Sequence, residues 1–400
     1  MEKQLTVAIY SGSIPAPVFI ENLIQSLAQQ GVRISLFGRK IAPIQYLSRN
    51  IHFFPTPGHR MLLVGFVMAQ MVSLLMASPR KFFRLVTQYR KISKYESGGF
   101  LTWWGKVLPV VNHLPDIFHI QWAKSLPYWF FLKELFGVHI VLSLRGTHIT
   151  LSPIADKILA NQYIKLFPKL DKFHTVSKSI QEIASKYGAE REDVDIIHSV
   201  VNSEMISPFI KTNWESNDTF QFVSVGRFHW VKGYHYALSA IKNLQENNIA
   251  AHYTIIALDQ PSEEILYQIK DLSLDDHITL LHLSSQEDVY QRMGLSDCLL
   301  LPSVEEGIAN VVLEAMAISL PVISSDCGGM KEIIEHKKNG FLFQNRDVDH
   351  LTQIMTDAFN QDLDQRKAMV NRARTNIERN HNLSRLGSEM KELYCSVDFA

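Results

Sequence analysis

Apolar residues along this chain fall into short β-rich runs separated by longer stretches of helical character. The first run, LTVAIY, leads into the turn-rich SGSIPAP and then into VFIENLIQSLAQQ, a predicted helix ending at Gly31. VRISLFG, IHFFP, DIFHIQW, HIVLSLRG, KFHTV and VDIIHSV continue the series. Such alternation predicts a parallel sheet with crossover helices. The polar stretch 207–219, SPFIKTNWESNDT, reads as a linker. A second series follows, with TFQFVSVG, HYTIIAL, HITLLHL, CLLLPS, PVISSD and FLF as strands. A last helix is predicted at about 384–394. The fold class is therefore α/β, with two doubly wound Rossmann-like domains facing a cleft. The expected bounds are 1–207 and 208–383, with 384–400 as a C-terminal helix. In such sheets ligands bind at the carboxyl ends of strands, so candidate residues are sought in the loops that follow them.

One segment tests this reading. Residues 61–78, MLLVGFVMAQMVSLLMAS, carry no charge. As a helix they would be about 27 Å long, close to the thickness of a bilayer core. Predicted strands lie on both sides of the segment, and a spanning helix would break one sheet in half. A buried or surface-embedded helix is the expectation. The next stretch, PRKFFRLVTQYRKISK, interleaves cations with aromatics, a pattern suited either to anionic headgroups or to an amphipathic helix with solvated charges. Arg80, Lys81 and Arg84 are the cations expected to meet a membrane.

Charge divides the chain. Residues 1–208 hold 23 Lys and Arg against 13 Asp and Glu, whereas 209–400 hold 17 against 27. A basic N-terminal half suits an anionic surface or acceptor, or reflects solvated faces of no special role. Cys298, Cys327 and Cys395 have neither a paired framework nor metal-ligand spacing, which points to a reducing compartment. The N-terminus, MEKQLTVAIY, lacks the pattern of a signal peptide. A cytoplasmic location is expected, with the inner face of the plasma membrane as a possible site of action.

Two constellations carry chemistry. In SVGRFHWVKGYHYAL, Arg227 and Lys232 sit between a strand and a helix and are bracketed by Gly226 and Gly233. A planar guanidinium, a point charge and unpaired helix N–H groups together suit a diphosphate, especially one gaining charge as a leaving group. The sequence is not a Walker A loop. In LLLPSVEEGIANVVLEAMAISLPVISSDCGG, a strand delivers the chain to Glu305, Glu306 and Gly307, and a helix starts near Ala309. Gly307 permits close backbone approach, and the N–H groups around Ile308, Ala309 and Asn310 suit phosphate. Glu305 fits a solvated carboxylate at a helix start. Glu314, among apolar neighbours, does not.

The glutamates Glu306 and Glu314, seven residues apart after a PS-containing strand, with LEAMA and PVISSDCGG following, resemble the retaining glycosyltransferases of the GT-B fold, family 4. GRFHWVKG resembles that family's phosphate-binding loop, and the likeness covers about 120 residues, 224–343. The resemblance implies that Arg227 and Lys232 hold the diphosphate, that Glu306 contacts the donor sugar, and that Glu314 binds the ribose with Leu283 beside the base. It implies a nucleotide-sugar donor, UDP- or GDP-linked, a glycan or lipid-linked acceptor, no cofactor, no metal and no nucleic acid. In the N-terminal half, His119 of PDIFHIQW falls where the family carries a histidine facing the donor. The family often has a second histidine where this chain has Gln121. Arg145 of SLRGTH resembles a loop residue that contacts an anionic substrate, and Gly12 stands where the family has a glycine pair against the diphosphate. The C-terminal helix is expected to return to the N-terminal domain.

Three Asp-x-Asp triplets, beginning at Asp193, Asp347 and Asp362, do not end a buried strand and are not read as metal sites. The histidines show no metal-binding motif. Two alternatives stay open: a nucleotide-sugar 2-epimerase-like isomerase on the same scaffold, and a non-catalytic nucleotide-sugar-binding protein.

Overall fold

The computed structural model describes residues 5–43, 46–92, 99–212, 214 and 219–399. The chain forms two compact units, Met1–Ile197 with Leu383–Ala400, and His198–Asn382.

Unit 1 contains a seven-stranded parallel sheet of β1 (Thr6–Ile14), β2 (Arg33–Lys40), β3 (Ile51–Thr56), β4 (Ile117–Ile120), β5 (His139–Leu144), β6 (Lys172–Thr175) and β7 (Val194–Ile196). Their order is β3-β2-β1-β4-β5-β6-β7. Strand β4 is buried at every position, because helices cover both faces of a parallel sheet. The outer strand β3 is buried only at Ile51. Strand β1 extends through Ser11–Gly12–Ser13 to Ile14, where the sequence suggested a loop. Its register against β2 shifts between Tyr10 and Gly12, and Gly12 adopts φ +78°. The glycine absorbs the irregularity in the left-handed region that it tolerates best.

Four helices of unit 1 are α1 (Val18–Gln29), α2 (Arg60–Ala77), α3 (Pro79–Ile92) and α4 (Gly99–Asn112). Trp103, Trp104, Val107, Leu108, Val110 and Val111 of α4 are all buried. Each large apolar side chain removed from water in this way contributes about 1.5–3 kcal/mol. Of the two arrangements expected for α2, burial is not the one found: only Val67 and Leu74 are buried. It is the helix, among the described residues, long and apolar enough to cross a membrane. Ser93 and Lys94, at the end of the predicted basic run, lie outside the described residues.

The C-terminal helix Leu383–Cys395 packs on α1 of unit 1. Its Gly387 allows a close approach, since a Cβ there would lie 2.5 Å from the Ser26 carbonyl oxygen. Lys391 Nζ donates to Gln30 O at 2.9 Å, closing an orphan carbonyl at the α1 terminus.

Unit 2 holds a six-stranded parallel sheet of β8 (Phe220–Val225), β9 (Ala251–Ala257), β10 (Ile278–His282), β11 (Cys298–Leu301), β12 (Val322–Ser325) and β13 (Phe341–Phe343). The order β10-β9-β8-β11-β12-β13 reverses direction between β8 and β11. That switch point is where doubly wound sheets open a crevice for ligands. The division between units falls between Ile197 and His198, not at 207. Val201 N donates to His381 O at 3.0 Å, and His381 Nδ1 lies 2.8 Å from Ser199 O, so residues after His198 are tied to the end of unit 2. Residues 213 and 215–218 of the predicted linker lie outside the described residues.

Candidate functional site

The loops leaving β8 and β11, which flank the switch point of unit 2, are fastened to each other. After β8 the chain makes a 3-10 turn at Trp230–Lys232 and enters the helix Tyr234–Glu246 through Gly233. Gly233 has φ +64°, and a Cβ there would sit 2.0 Å from the Pro302 carbonyl oxygen. Only a glycine lets the two backbones meet at this point. Next to it, Val304 N donates to Val231 O at 2.7 Å.

This fastening brings Lys232 to Glu306. Lys232 Nζ donates to Glu306 Oε1 at 2.7 Å, and Ser303 Oγ donates to the same oxygen at 2.8 Å. The two charged side chains are 22% and 14% exposed, so the pair is only lightly screened by water. Arg227, five positions before Lys232, is exposed and pairs with no carboxylate among the described residues. One cation is thus held on a carboxylate and another stands free on the same loop.

The Glu306 loop is also held from the side of β12. Gly329 N donates to Gly307 O at 3.0 Å, and Asn345 Nδ2 donates to Val304 O at 2.8 Å. Gly328 has φ +50°, and a Cβ there would lie 1.7 Å from the Glu306 carbonyl oxygen. Ile308 and Ala309 are buried, and the helix Asn310–Ala317 begins immediately after them. Glu305 is half-buried. Burial and then the neighbouring Glu306 raise its carboxyl above the ordinary range, against the pull of Arg346. It is therefore not the freely solvated carboxylate expected.

Glu314 lies within the helix Asn310–Ala317. Its Oε1 accepts from Tyr290 Oη at 3.2 Å and from Gln286 Nε2 at 3.4 Å. Burial raises its carboxyl, and these two hydrogen bonds oppose the rise. Leu283, after β10, packs against the cluster that contains Ile308, Ala309 and Val311. Sequence reasoning missed Ser303, Gln286 and Tyr290. Ser303 had a local signal, being three residues before Glu306. The other two meet Glu314 only because their helix, Gln286–Gly294, is the crossover that returns the chain from β10 to β11.

In unit 1, His119 is fully buried and both of its ring nitrogens are engaged. His119 Nδ1 lies 2.7 Å from Tyr394 Oη, and Nε2 lies 2.8 Å from Ser143 Oγ. Ser143 Oγ is 2.8 Å from His174 Nδ1, and His174 Nε2 is 2.9 Å from Ile197 O. Because a carbonyl only accepts, His174 Nε2 donates at the end of the chain. If both rings are neutral, one direction runs throughout: Tyr394 to His119, His119 to Ser143, and Ser143 to His174. Burial, followed by the charge of Arg145, lowers the His119 pKa to about 3, which keeps the ring neutral. The ring offers no free nitrogen to a substrate, and we correct the expectation that it faces a donor sugar. Tyr394→Phe is expected to cost about 1–3 kcal/mol by leaving His119 Nδ1 buried without a partner. Thermal unfolding checks this. A variant as stable as the wild type would mean that the hydroxyl contributes nothing.

Beside this chain, both amide atoms of Gln121 are buried without a hydrogen-bond partner among the described residues, as is Arg145 Nε. The Arg145 guanidinium lies 5.0 Å from the Phe19 ring centroid. Desolvation lowers its pKa to about 10. Buried polar atoms of this kind are costly unless something pairs with them.

The Asp-x-Asp triplets have other uses. Asp193 accepts from Lys172 Nζ at 3.0 Å. Asp347 and Asp362 cap the helices Val348–Phe359 and Leu363–Asn380. Among the described residues, no group of three His, Cys, Asp or Glu side chains is placed to hold a metal ion.

Both loops of the candidate site lie inside a stretch with recognisable kin. Residues 207–376 match the family Glycosyl transferases group 1. WcaL of Escherichia coli (strain K12) is 28% identical over 239 residues, 58% of either chain. The Amylovoran biosynthesis glycosyltransferase AmsK of Erwinia amylovora is 27% identical over 230 residues, 56% of either chain. The match therefore spans little more than half the length of these relatives. Among solved structures, sucrose-phosphate synthase from Thermosynechococcus elongatus superposes with TM-score 0.72 at 16% identity, covering 98% of both chains. Anabaena Alr3699/HepE in complex with UDP and glucose gives 0.71 at 17% identity, covering 98% of this chain and all of that one (100%). These likenesses agree with two parallel-sheet, Rossmann-like α/β units of the GT-B type.

Proposed function

We propose that this protein is a retaining glycosyltransferase that moves a sugar from a nucleotide diphosphate sugar to a hydroxyl of a glycan or lipid-linked acceptor. The observation that carries the reading is the Lys232–Glu306 pair on two fastened loops at the switch point, with Arg227 unpaired beside it. Kinship of residues 207–376 supports it.

In this reading Arg227 and Lys232 hold the diphosphate, joined by backbone N–H groups near Gly307, Ile308, Ala309 and Asn310. Glu306 contacts the donor sugar. Glu314 accepts from the ribose hydroxyls in place of one of its present partners, and Leu283 lies against the base. As the bond from the anomeric carbon to the phosphate oxygen breaks, the acceptor oxygen bonds to that carbon on the same face. Its proton passes to the departing diphosphate. Cations placed where this charge develops stabilise the transition state. Metal is dispensable here, because the two cations supply that charge. In unit 1, taken by itself, Arg145 and Gly12 suit an anionic ligand. The unpartnered amide of Gln121 supports a polar ligand nearby. The relatives' setting supports a role in cell-surface polysaccharide synthesis.

A panel of UDP- and GDP-sugars is expected to yield one donor that raises Tm and is consumed in the presence of acceptor glycan, with EDTA leaving the rate unchanged. Glu306→Ala is expected to abolish transfer while donor binding through the diphosphate persists. Near-normal transfer by that variant would remove the site assignment.

A further inference from the structure

Helix α2 is apolar on both of its sides. Toward the protein it carries the buried Val67 and Leu74, and with them the polar Gln70, which accepts from Asn112 Nδ2. Toward solvent it presents Met61, Leu62, Met68, Val72, Leu75 and Met76. Their exposures run from 40% at Leu75 to 81% at Met76. A helix that only covered a sheet would bury such residues and expose Gln70. The large continuous apolar stripe marks a surface meant to leave water.

Helix α3 continues the surface with charge. Its inner side buries Leu85 and packs Phe82, Val86 and Tyr89 on the core. Its outer side leaves Phe83 exposed by 63% among cations. A shallow groove of about 500 Å³ there is lined by residues that include Arg80, Phe83, Arg84 and Lys91. No acidic residue occurs between Glu21 and Glu96, while eleven Lys and Arg do.

We propose that α2 and α3 form a docking surface for an anionic lipid bilayer. The outer stripe of α2 lies among the acyl chains near the interface, and the cations of α3 meet the headgroup phosphates. Charge complementarity selects this occupant, because cations such as Arg80 and Lys91 beside an apolar stripe match a layer that is anionic outside and apolar beneath. A protein partner would need hydrogen-bonding groups around an apolar centre. The outer face of α2 offers little beyond the Ser73 hydroxyl. A second copy would bring two sets of like charges together. The helix does not cross the bilayer. Strand β3 before it and β4 after it belong to one sheet, and no second helix among the described residues is apolar enough to bring the chain back. The proposal does not depend on the reading of the site in unit 2.

The full chain should be sedimented with vesicles of phosphatidylcholine alone and of equimolar phosphatidylcholine and phosphatidylglycerol. Binding to the mixed vesicles alone, weakened by salt, is expected. Combining Arg80→Gln, Lys81→Gln and Lys91→Gln should lower partitioning roughly a hundredfold. Arg84 is left in place because its Nη1 donates to Leu135 O at 3.0 Å and helps fix α3. A second variant, Met61→Ser with Leu62→Ser and Met76→Ser, should lose binding by about tenfold or more with Tm preserved, since these side chains touch solvent. Equal binding to both vesicle types, no binding to either, or binding indifferent to both variants would overturn the proposal. So would self-association in buffer that Met68→Gln and Val72→Gln abolish, which would assign the face to a second copy.

Discussion

Lys232→Ala is expected to lower sugar transfer about 10²–10³-fold, the usual cost of removing one preorganised donor from a site of developing negative charge. The loss should fall mainly on kcat. Arg227, exposed on the same loop, remains to hold a ground-state diphosphate, whereas Lys232 acts most strongly as the leaving group gains charge. The substitution has a second effect. Glu306 keeps its bond from Ser303 but loses the cation 2.7 Å away, so a largely buried carboxylate is left without its counter-charge. Lys232→Arg tests geometry separately, because a guanidinium retains charge but not the compact head that fits against Glu306. Steady-state kinetics of the two variants measure both effects. Transfer within a few-fold of wild type in Lys232→Ala would sink the role given to this residue.

Gly328→Ala should be nearly as damaging, although the residue is no candidate for chemistry. The added Cβ would lie 1.7 Å from the Glu306 carbonyl oxygen, which is impossible without moving one backbone or the other. The φ of +50° disfavours alanine as well. Relief requires the Glu306 loop to shift by an ångström or more. A displacement of about 1 Å at a reacting group costs about 10²-fold. The expected result is a loss of transfer about that large, accompanied by a lower Tm. Gly137→Ala is the control: its φ is also positive, at +67°, but nothing lies within 4 Å of an added Cβ and the residue has no part in the candidate site. If Gly328→Ala retained full transfer, the tight seating of the Glu306 loop would have no bearing on function.

Periodicity in the sequence already located the thirteen strands of the described residues and the alternation that makes both sheets parallel. It could do so because a strand covered by helices on both faces is a nearly continuous apolar run, as in CLLL of β11 and IFHI of β4. The strand–loop–helix motifs containing Arg227, Lys232, Glu306 and Glu314 were equally visible, since each is contiguous in the chain. Contacts between distant segments were not. Nothing local tells that Val304 bonds to Val231, that Gly328 clears space for the Glu306 carbonyl, or that Tyr290 reaches Glu314. Those depend on strand order, which places β8 beside β11 and β11 beside β12. His119 shows the same limit in reverse. Its position after a strand suggested a substrate-facing ring, yet Tyr394, from the far end of the chain, occupies one nitrogen and Ser143 the other. Helix α2 was legible as apolar, but the choice between burial and a surface-embedded position stayed open, because hydropathy records what a residue prefers and not which surface is left to receive it. The sequence by itself determined the two α/β series and the residue types at the ends of β8 and β11. Tertiary structure alone decided which of those residues meet and which are sealed in the core, because strand order and helix return are properties of the packed chain.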